Sequence, residues 1–153
     1  MTVSPIDIIK AILDNPTDLA SVKELVAPDV TYVSLNYDNP ELKTLMPWAG
    51  TQKGPEAIVS TYSRVARYWK NEGFEIRDIF GSGENVAVFG SFTYRSTTLG
   101  KAVTSPFSIL AKVHDGRVTY MQFMEDTFGT ASTFRSGGTA TYRADPKGGE
   151  VEV

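Results

Sequence analysis

Residues 101–127 read KAVTSPFSILAKVHDGRVTYMQFMEDT. Asp115-Gly116 stands between two runs in which apolar and polar residues alternate. Asp-Gly suits the positive backbone angles of a two-residue hairpin turn, so the stretch predicts two antiparallel strands, 101–114 and 117–127. The same period of two runs back through 85–97 and 74–81, with Ser82-Gly83-Glu84 as a further tight turn. Four strands joined this way form an antiparallel meander. Two of them are long enough to bend, and Gly81, Gly90 and Pro106 are places where a bulge or kink is tolerated.

Upstream of Gly73 the period becomes helical. Ser4-Pro5-Ile6-Asp7 combines a hydroxyl cap, a proline that loses nothing at the first helical position and an early carboxylate. Ile6, Ile9, Ile12 and Leu13 then give that helix one buried face, and Asn15-Pro16 closes it. Thr17 is expected to cap a second helix carrying Val22, Leu25 and Val26, which Pro28 stops. The β-branched and aromatic run at 29–35 reads as a strand, and 36–46, which contains Pro40, as a surface loop. Gly54-Pro55-Glu56 opens a third helix with Ile58, Tyr62, Val65 and Trp69 on one stripe, ended by Gly73. The expected fold is α+β: a cone-shaped, curved antiparallel sheet packed against three helices from the N-terminal half, with a blind apolar pocket inside.

At 153 residues with a formal net charge of -3 and 41% apolar content, the chain fits one domain with one core. Its weak negative charge predicts no nucleic-acid partner and no membrane surface. No apolar run approaches a membrane span and Met1-Thr2-Val3-Ser4-Pro5 has no basic export region, so a cytoplasmic location is expected. Cys is absent and His114 is the one histidine. That composition predicts no metal and removes thiolate chemistry. The oxygens of Asn36, Asp38, Asn39 and Glu41 lack the spacing of a calcium loop. Gly81-Ser82-Gly83 is too short for a dinucleotide fingerprint, and no Walker sequence or Gly-x-Ser-x-Gly elbow occurs, so no cofactor is expected. His114, in the hairpin turn, reads as exposed and unperturbed.

Three pieces resemble a known family: Trp48-Ala49-Gly50-Thr51 through Gly54-Pro55-Glu56-Ala57-Ile58, then Gly100-Lys101 to Pro106-Phe107 with Val113 to Val118, and finally Phe123-Met124-Glu125-Asp126-Thr127. In this order they resemble the SnoaL-like and ketosteroid-isomerase-like proteins of the nuclear transport factor 2-like superfamily, over about residues 4 to 135. The resemblance implies the cystatin-like roll and a cavity for a small apolar molecule, and it implies that Asp126 faces the cavity as general acid or base. Asp126 also precedes a short closing helix as a cap would, and the sequence leaves both roles open. Strand alternation anchored on Asp126 sends Glu125 to solvent or an interface and puts Gln122 on the cavity side.

Tyr32, Tyr62, Tyr94, Tyr120, Trp48 and Phe107 are the aromatic supply, from which a phenol could donate to a carbonyl or enolate oxygen. Of these, Tyr32, Trp48, Tyr62 and Phe107 join Ser34, Arg95 and Gln122 as expected ligand contacts. Ser34 stands where the resembling ketosteroid isomerases carry their general-base aspartate, which argues against steroid isomerisation. Limonene-type epoxide hydrolases imply an Asp-Arg-Asp set, of which Arg95 and Asp126 are candidates.

Three readings follow: a cofactor-independent isomerase, cyclase or lyase acting on a small apolar carbonyl compound, a non-catalytic binding domain, or an interaction module whose cavity its own side chains fill. Met121 and Phe123, alternating away from Gln122 and Asp126, predict an apolar face that a homodimer would bury. The SnoaL-like domain is expected over 1–135, with 136–153 a Gly/Pro-containing extension in which Thr139, Thr141 and Tyr142 lie extended against another surface.

Overall fold

The Ser4 hydroxyl accepts the Asp7 N–H and begins α1, Pro5–Asp14, as the cap chemistry requires. The computed structural model describes residues 3–153. The next helix, α2 (Leu19–Leu25), is capped by Asp18 instead of Thr17, because a carboxylate at that position reaches the Ser21 N–H. Strand β1 (Val26–Ser34) follows directly. The segment expected to be loop contains α3, Pro40–Leu45, whose Asn39 side chain accepts from Leu42 N–H. A short strand, β2 (Gly50–Lys53), leads into α4, Pro55–Tyr68. That helix ends at Trp69, four residues before Gly73, because the backbone from Trp69 onward pairs with Ser96, Arg95 and Tyr94. Interstrand pairing overrides helical periodicity there.

The meander is β3 (Trp69–Ser82), β4 (Asn85–Ser96), β5 (Ala102–His114) and β6 (Arg117–Glu125), followed by α5, Thr127–Ser132. The six-stranded sheet runs β2-β1-β6-β5-β4-β3, antiparallel except for β1 against β6. That pair is parallel because β1 returns to the sheet through α4 and the meander, a long crossover. The β3–β4 ladder shifts register at Asn71/Gly73 and Ile76/Asp78, the second shift lying opposite Gly90. These bulges supply curvature.

The concave side of the sheet faces the helices. Val86, Val88, Phe92, Ile109, Ala111 and Met121 pack with Ile9, Ile12, Val22 and Ile58 in one core. Each fully buried Ile contributes roughly 1.5–3 kcal/mol relative to exposure. Met121 and Phe123 therefore lie in the core, contrary to the expectation that they form an outer face. The apolar groups left on the other side of the sheet are Phe80, Phe89, Leu110 and Met124.

The extension folds back on itself. Strands β7 (Thr141–Tyr142) and β8 (Val151–Glu152) pair, and Arg135 donates to the carbonyl oxygens of Gly138 and Val153. Thr141 and Tyr142 thus find their extended partner within the tail. No helix among the described residues is long and apolar enough to cross a membrane.

Candidate functional site

Strand β6 fixes the site through its parity. Met121 is fully buried and Phe123 nearly so, hence the next residue on that face, Glu125, also points inward. Its partner across β5 is Phe107, itself in the core. The assignment of Glu125 to solvent or an interface is corrected: its carboxyl lines a small cavity with Tyr32 and Ser34 of β1, Trp48 before β2, Thr61, Tyr62 and Val65 of α4, Tyr94 of β4, and Phe123. The cavity measures about 20 Å³, room for about one water.

Burial pushes the Glu125 carboxyl up to about 7, with the Thr130 hydroxyl pulling partly back and the Asp126 charge adding to the rise. Burial also raises the three phenols: Tyr94 to about 12, Tyr32 and Tyr62 well above the usual range. All three are therefore neutral donors at any ordinary pH. The Tyr62 hydroxyl and Glu125 Oε2 are buried without a hydrogen-bond partner. A native structure leaves few such groups, and each has a cost that a ligand's polar atoms would relieve. A carboxyl that titrates near neutrality beside an unspent hydroxyl donor can move a proton and hold the oxyanion that results.

The other expected residues divide. Tyr32, Ser34, Trp48 and Tyr62 meet at the cavity. Phe107 does not line it; its ring stacks on Phe123 at 5.3 Å and on Phe74 at 4.7 Å. Gln122 is on the opposite side of β6 and accepts the Tyr120 hydroxyl at 2.6 Å. Arg95 is held outside by Glu72 at 2.8 Å and the Gly100 carbonyl at 2.7 Å.

Asp126 lies past the end of β6, where it accepts the Gly129 N–H at 3.0 Å and caps α5. Its N–H donates to the buried Ser105 hydroxyl. The cavity-facing placement of Asp126 is thus corrected to a cap on the outer side, beside Phe89, Pro106 and Met124. With Arg95 also outside, the Asp-Arg-Asp set of the epoxide hydrolases is not assembled. Asp126→Ala is expected to cost roughly 0.5–2 kcal/mol by denaturant unfolding, with Asp126→Asn close to wild type because the amide oxygen still caps. An Ala variant as stable as wild type would remove the cap.

His114 is exposed, as expected, yet not unperturbed: its hydrogen bond to Glu84 at 2.6 Å, with Asp115 beside it, raises its pKa. Among the described residues no three metal-ligating side chains gather.

What the sequence reading missed was Glu125, along with Thr61 and Val65. The signal was present in the apolar odd positions Val103, Phe107, Ile109, Ala111 and Val113 of β5 and Met121 and Phe123 of β6. Counting from them instead of from Asp126 turns residue 125 inward.

A family model described as "SnoaL-like domain" matches residues 12–121. Patulin synthesis protein F of Aspergillus clavatus is 51% identical over 136 residues, covering 86% of this chain and 69% of that protein. Patulin biosynthesis cluster protein F of Penicillium expansum is 43% identical, covering 98% and 78%. Among solved structures, an NTF2-like protein from Burkholderia thailandensis superposes with a TM-score of 0.73 at 18% identity, covering 88% of this chain and 99% of that one. At that identity the likeness shows the fold alone.

Proposed function

Because the chain belongs to the SnoaL-like domain family, we propose that it is a cofactor-independent enzyme of small-molecule biosynthesis that moves a proton on a carbonyl compound. The observation carrying this reading is the Glu125 carboxyl, enclosed among Tyr32, Tyr62 and Tyr94 with one oxygen unpartnered and a pKa pushed up to about 7. Relatives named for patulin synthesis support the biosynthetic setting.

In this mechanism the Glu125 carboxylate takes a proton from the carbon next to the carbonyl. Electron density moves to the carbonyl oxygen, where a neutral phenol, with the unspent Tyr62 hydroxyl foremost, donates to it. The protonated Glu125 then gives the proton to another carbon of the enolate, to a hydroxyl that departs as water, or to the alkoxide formed when the enolate carbon attacks a second carbonyl, so the sum is an isomerisation, an elimination or a ring closure without a redox partner. Asp126 keeps α5 in place and takes no proton. Replacing Glu125 by Gln tests the reading on small hydroxylated carbonyl compounds: lost turnover in a folded protein supports it, and full turnover ends it. The small volume of the cavity favours a second reading, a non-catalytic module, which the same exchange separates.

The partner proposed for the outer side of the sheet is a second copy of this chain. Phe89, Leu110 and Met124 stand there in water around the hydrogen-bonded hydroxyls of Thr93 and Thr104. Charges of both signs, Arg95 with Glu72 and Lys112, sit toward the rim. A twofold axis would bury the uncharged centre and set these charges against one another. Light scattering at micromolar concentration is expected to give a dimer, and Leu110→Asp a monomer. A monomeric wild type would end this proposal.

A further inference from the structure

The cavity that holds Glu125 is too small for the chemistry proposed for it. About 20 Å³ admits one water, whereas an apolar cavity of about 150 Å³ is what accommodates a ring the size of benzene. If the proton-transfer reading holds, something must move for a substrate to enter, and the packing indicates what. Trp48, which lines the cavity, stands edge-on to Tyr68 at 4.9 Å and to Trp69 at 5.4 Å. Trp69 also lies 5.8 Å from Tyr94, a second lining residue. Across the outer side of Tyr68 and Trp69 lies Phe134, edge-on to the first at 5.9 Å and stacked on the second at 4.6 Å. Four rings thus stack in contact from the cavity wall outward to the half-buried Phe134, a stopper on that side of the cavity.

Outside the stopper are two open grooves of about 420 and 470 Å³, and Leu45 and Phe134 line both. Three of the four rings are anchored: Trp48 and Trp69 are buried, and Tyr68 ends the long helix α4. Phe134 is half-buried and follows the six-residue helix α5. What holds it is slight: the Trp69 Nε1–H donating to Thr133 Oγ1 at 2.8 Å, Lys101 Nζ donating to the Arg135 carbonyl, and the last backbone bonds of α5.

We infer that Phe134 is the door of the cavity, the ring that swings out so that a small planar molecule passes from the outer groove past Trp69 and Trp48, and that it therefore selects substrates by size and flatness. The inference rests on the proton-transfer reading for its purpose but not for its test. Trp48 and Trp69 are the only two tryptophans of the chain, so tryptophan emission reports on the stopper alone.

Phe134→Ala is expected to raise acrylamide quenching of that emission several-fold and to speed the association of 4-nitrophenol, followed by stopped-flow quenching, by a similar factor. Phe134→Tyr, which restores the ring, should return both to wild type. Phe128→Ala, in the helix α5 that precedes Phe134 and lining a groove but outside the ring stack, should change neither. Should Phe134→Ala unfold, Phe134→Leu keeps most of the volume without the stacking and is expected to behave as the opened form. Equal association rates in wild type and the opened variant, or no binding of 4-nitrophenol by either, would overturn the inference. Because neither readout involves turnover, a fully active Glu125→Gln would remove the proton-transfer reading and leave the door standing, while an inactive one with unchanged Phe134 kinetics would do the reverse.

Discussion

Replacing Glu125 by Gln is expected to lower turnover by roughly 10²- to 10⁴-fold, the usual contribution of a positioned acid or base. The amide keeps the shape of the side chain and can still bond in the cavity, so substrate affinity should change little. Wild-type activity should rise as pH passes through about 7, where the carboxyl ionises, and this limb should vanish in the variant. Stability gives an independent reading. The ordinary value of 4.5 applies to the unfolded chain and about 7 to the folded one, so between these the folded state binds the additional proton. Stability from this group is therefore present below pH 4.5, declines as pH rises toward 7 and stays low above it, a loss of ~3 kcal/mol at most. The Glu125→Gln side chain has no proton to lose, so the variant should melt higher than wild type at pH 8 and show little of that decline. Parallel melting curves of the two proteins against pH would contradict the buried carboxyl.

Gly90→Ala is expected to have the largest effect on stability. A Cβ on Gly90 would stand 2.1 Å from the Glu75 carbonyl oxygen and 2.6 and 2.8 Å from two ring carbons of Phe107. The Phe107 ring cannot retreat, being stacked on both Phe123 and Phe74. Nor can the Glu75 carbonyl, which belongs to backbone beside the Ile76/Asp78 register shift. Relief requires unpairing β3 from β4, at a cost of about 3 kcal/mol or more. Gly137→Ala, where nothing stands within 4 Å, is the control and should be near neutral. Equilibrium denaturant unfolding decides, and a Gly90→Ala midpoint within error of wild type would refute the argument.

Local chemistry was legible in the sequence and long-range pairing was not. The Asp115-Gly116 turn, the Ser4 cap and the meander strands are each dictated by neighbours a few residues away, and apart from the early start of β3 the structure has them within a residue or two. The end of α4 and the parallel β1–β6 pair depend on residues far along the chain, so Gly73 misled and β2 went unread. The helix α3 was within reach, since Asn39-Pro40-Glu41 carries cap, proline and carboxylate in order.

The candidate site shows how small an error suffices. Tyr32, Ser34, Trp48 and Tyr62 all line the cavity from their strand, loop and helix, but on β6 the alternation was counted from Asp126. A strand has period two, so that one choice turned Gln122 inward and Met121, Phe123 and Glu125 outward, all four reversed. The residue before the cap, not the cap itself, carries the buried carboxyl.

The cavity wall is drawn from β1, the segment before β2, α4, β4 and β6, and these are scattered from residue 32 to residue 125. No part of the chain possesses the site before the whole has assembled, so affinity for a ligand belongs to the native state alone and is added to its stability by mass action. A compound present at a hundred times its dissociation constant adds about 2.7 kcal/mol, which for a domain of this size raises the melting temperature by roughly 5–11 °C. Heat alone, applied to the unlabelled protein with candidate metabolites in turn, can therefore pick out the natural ligand without any assay of its chemistry.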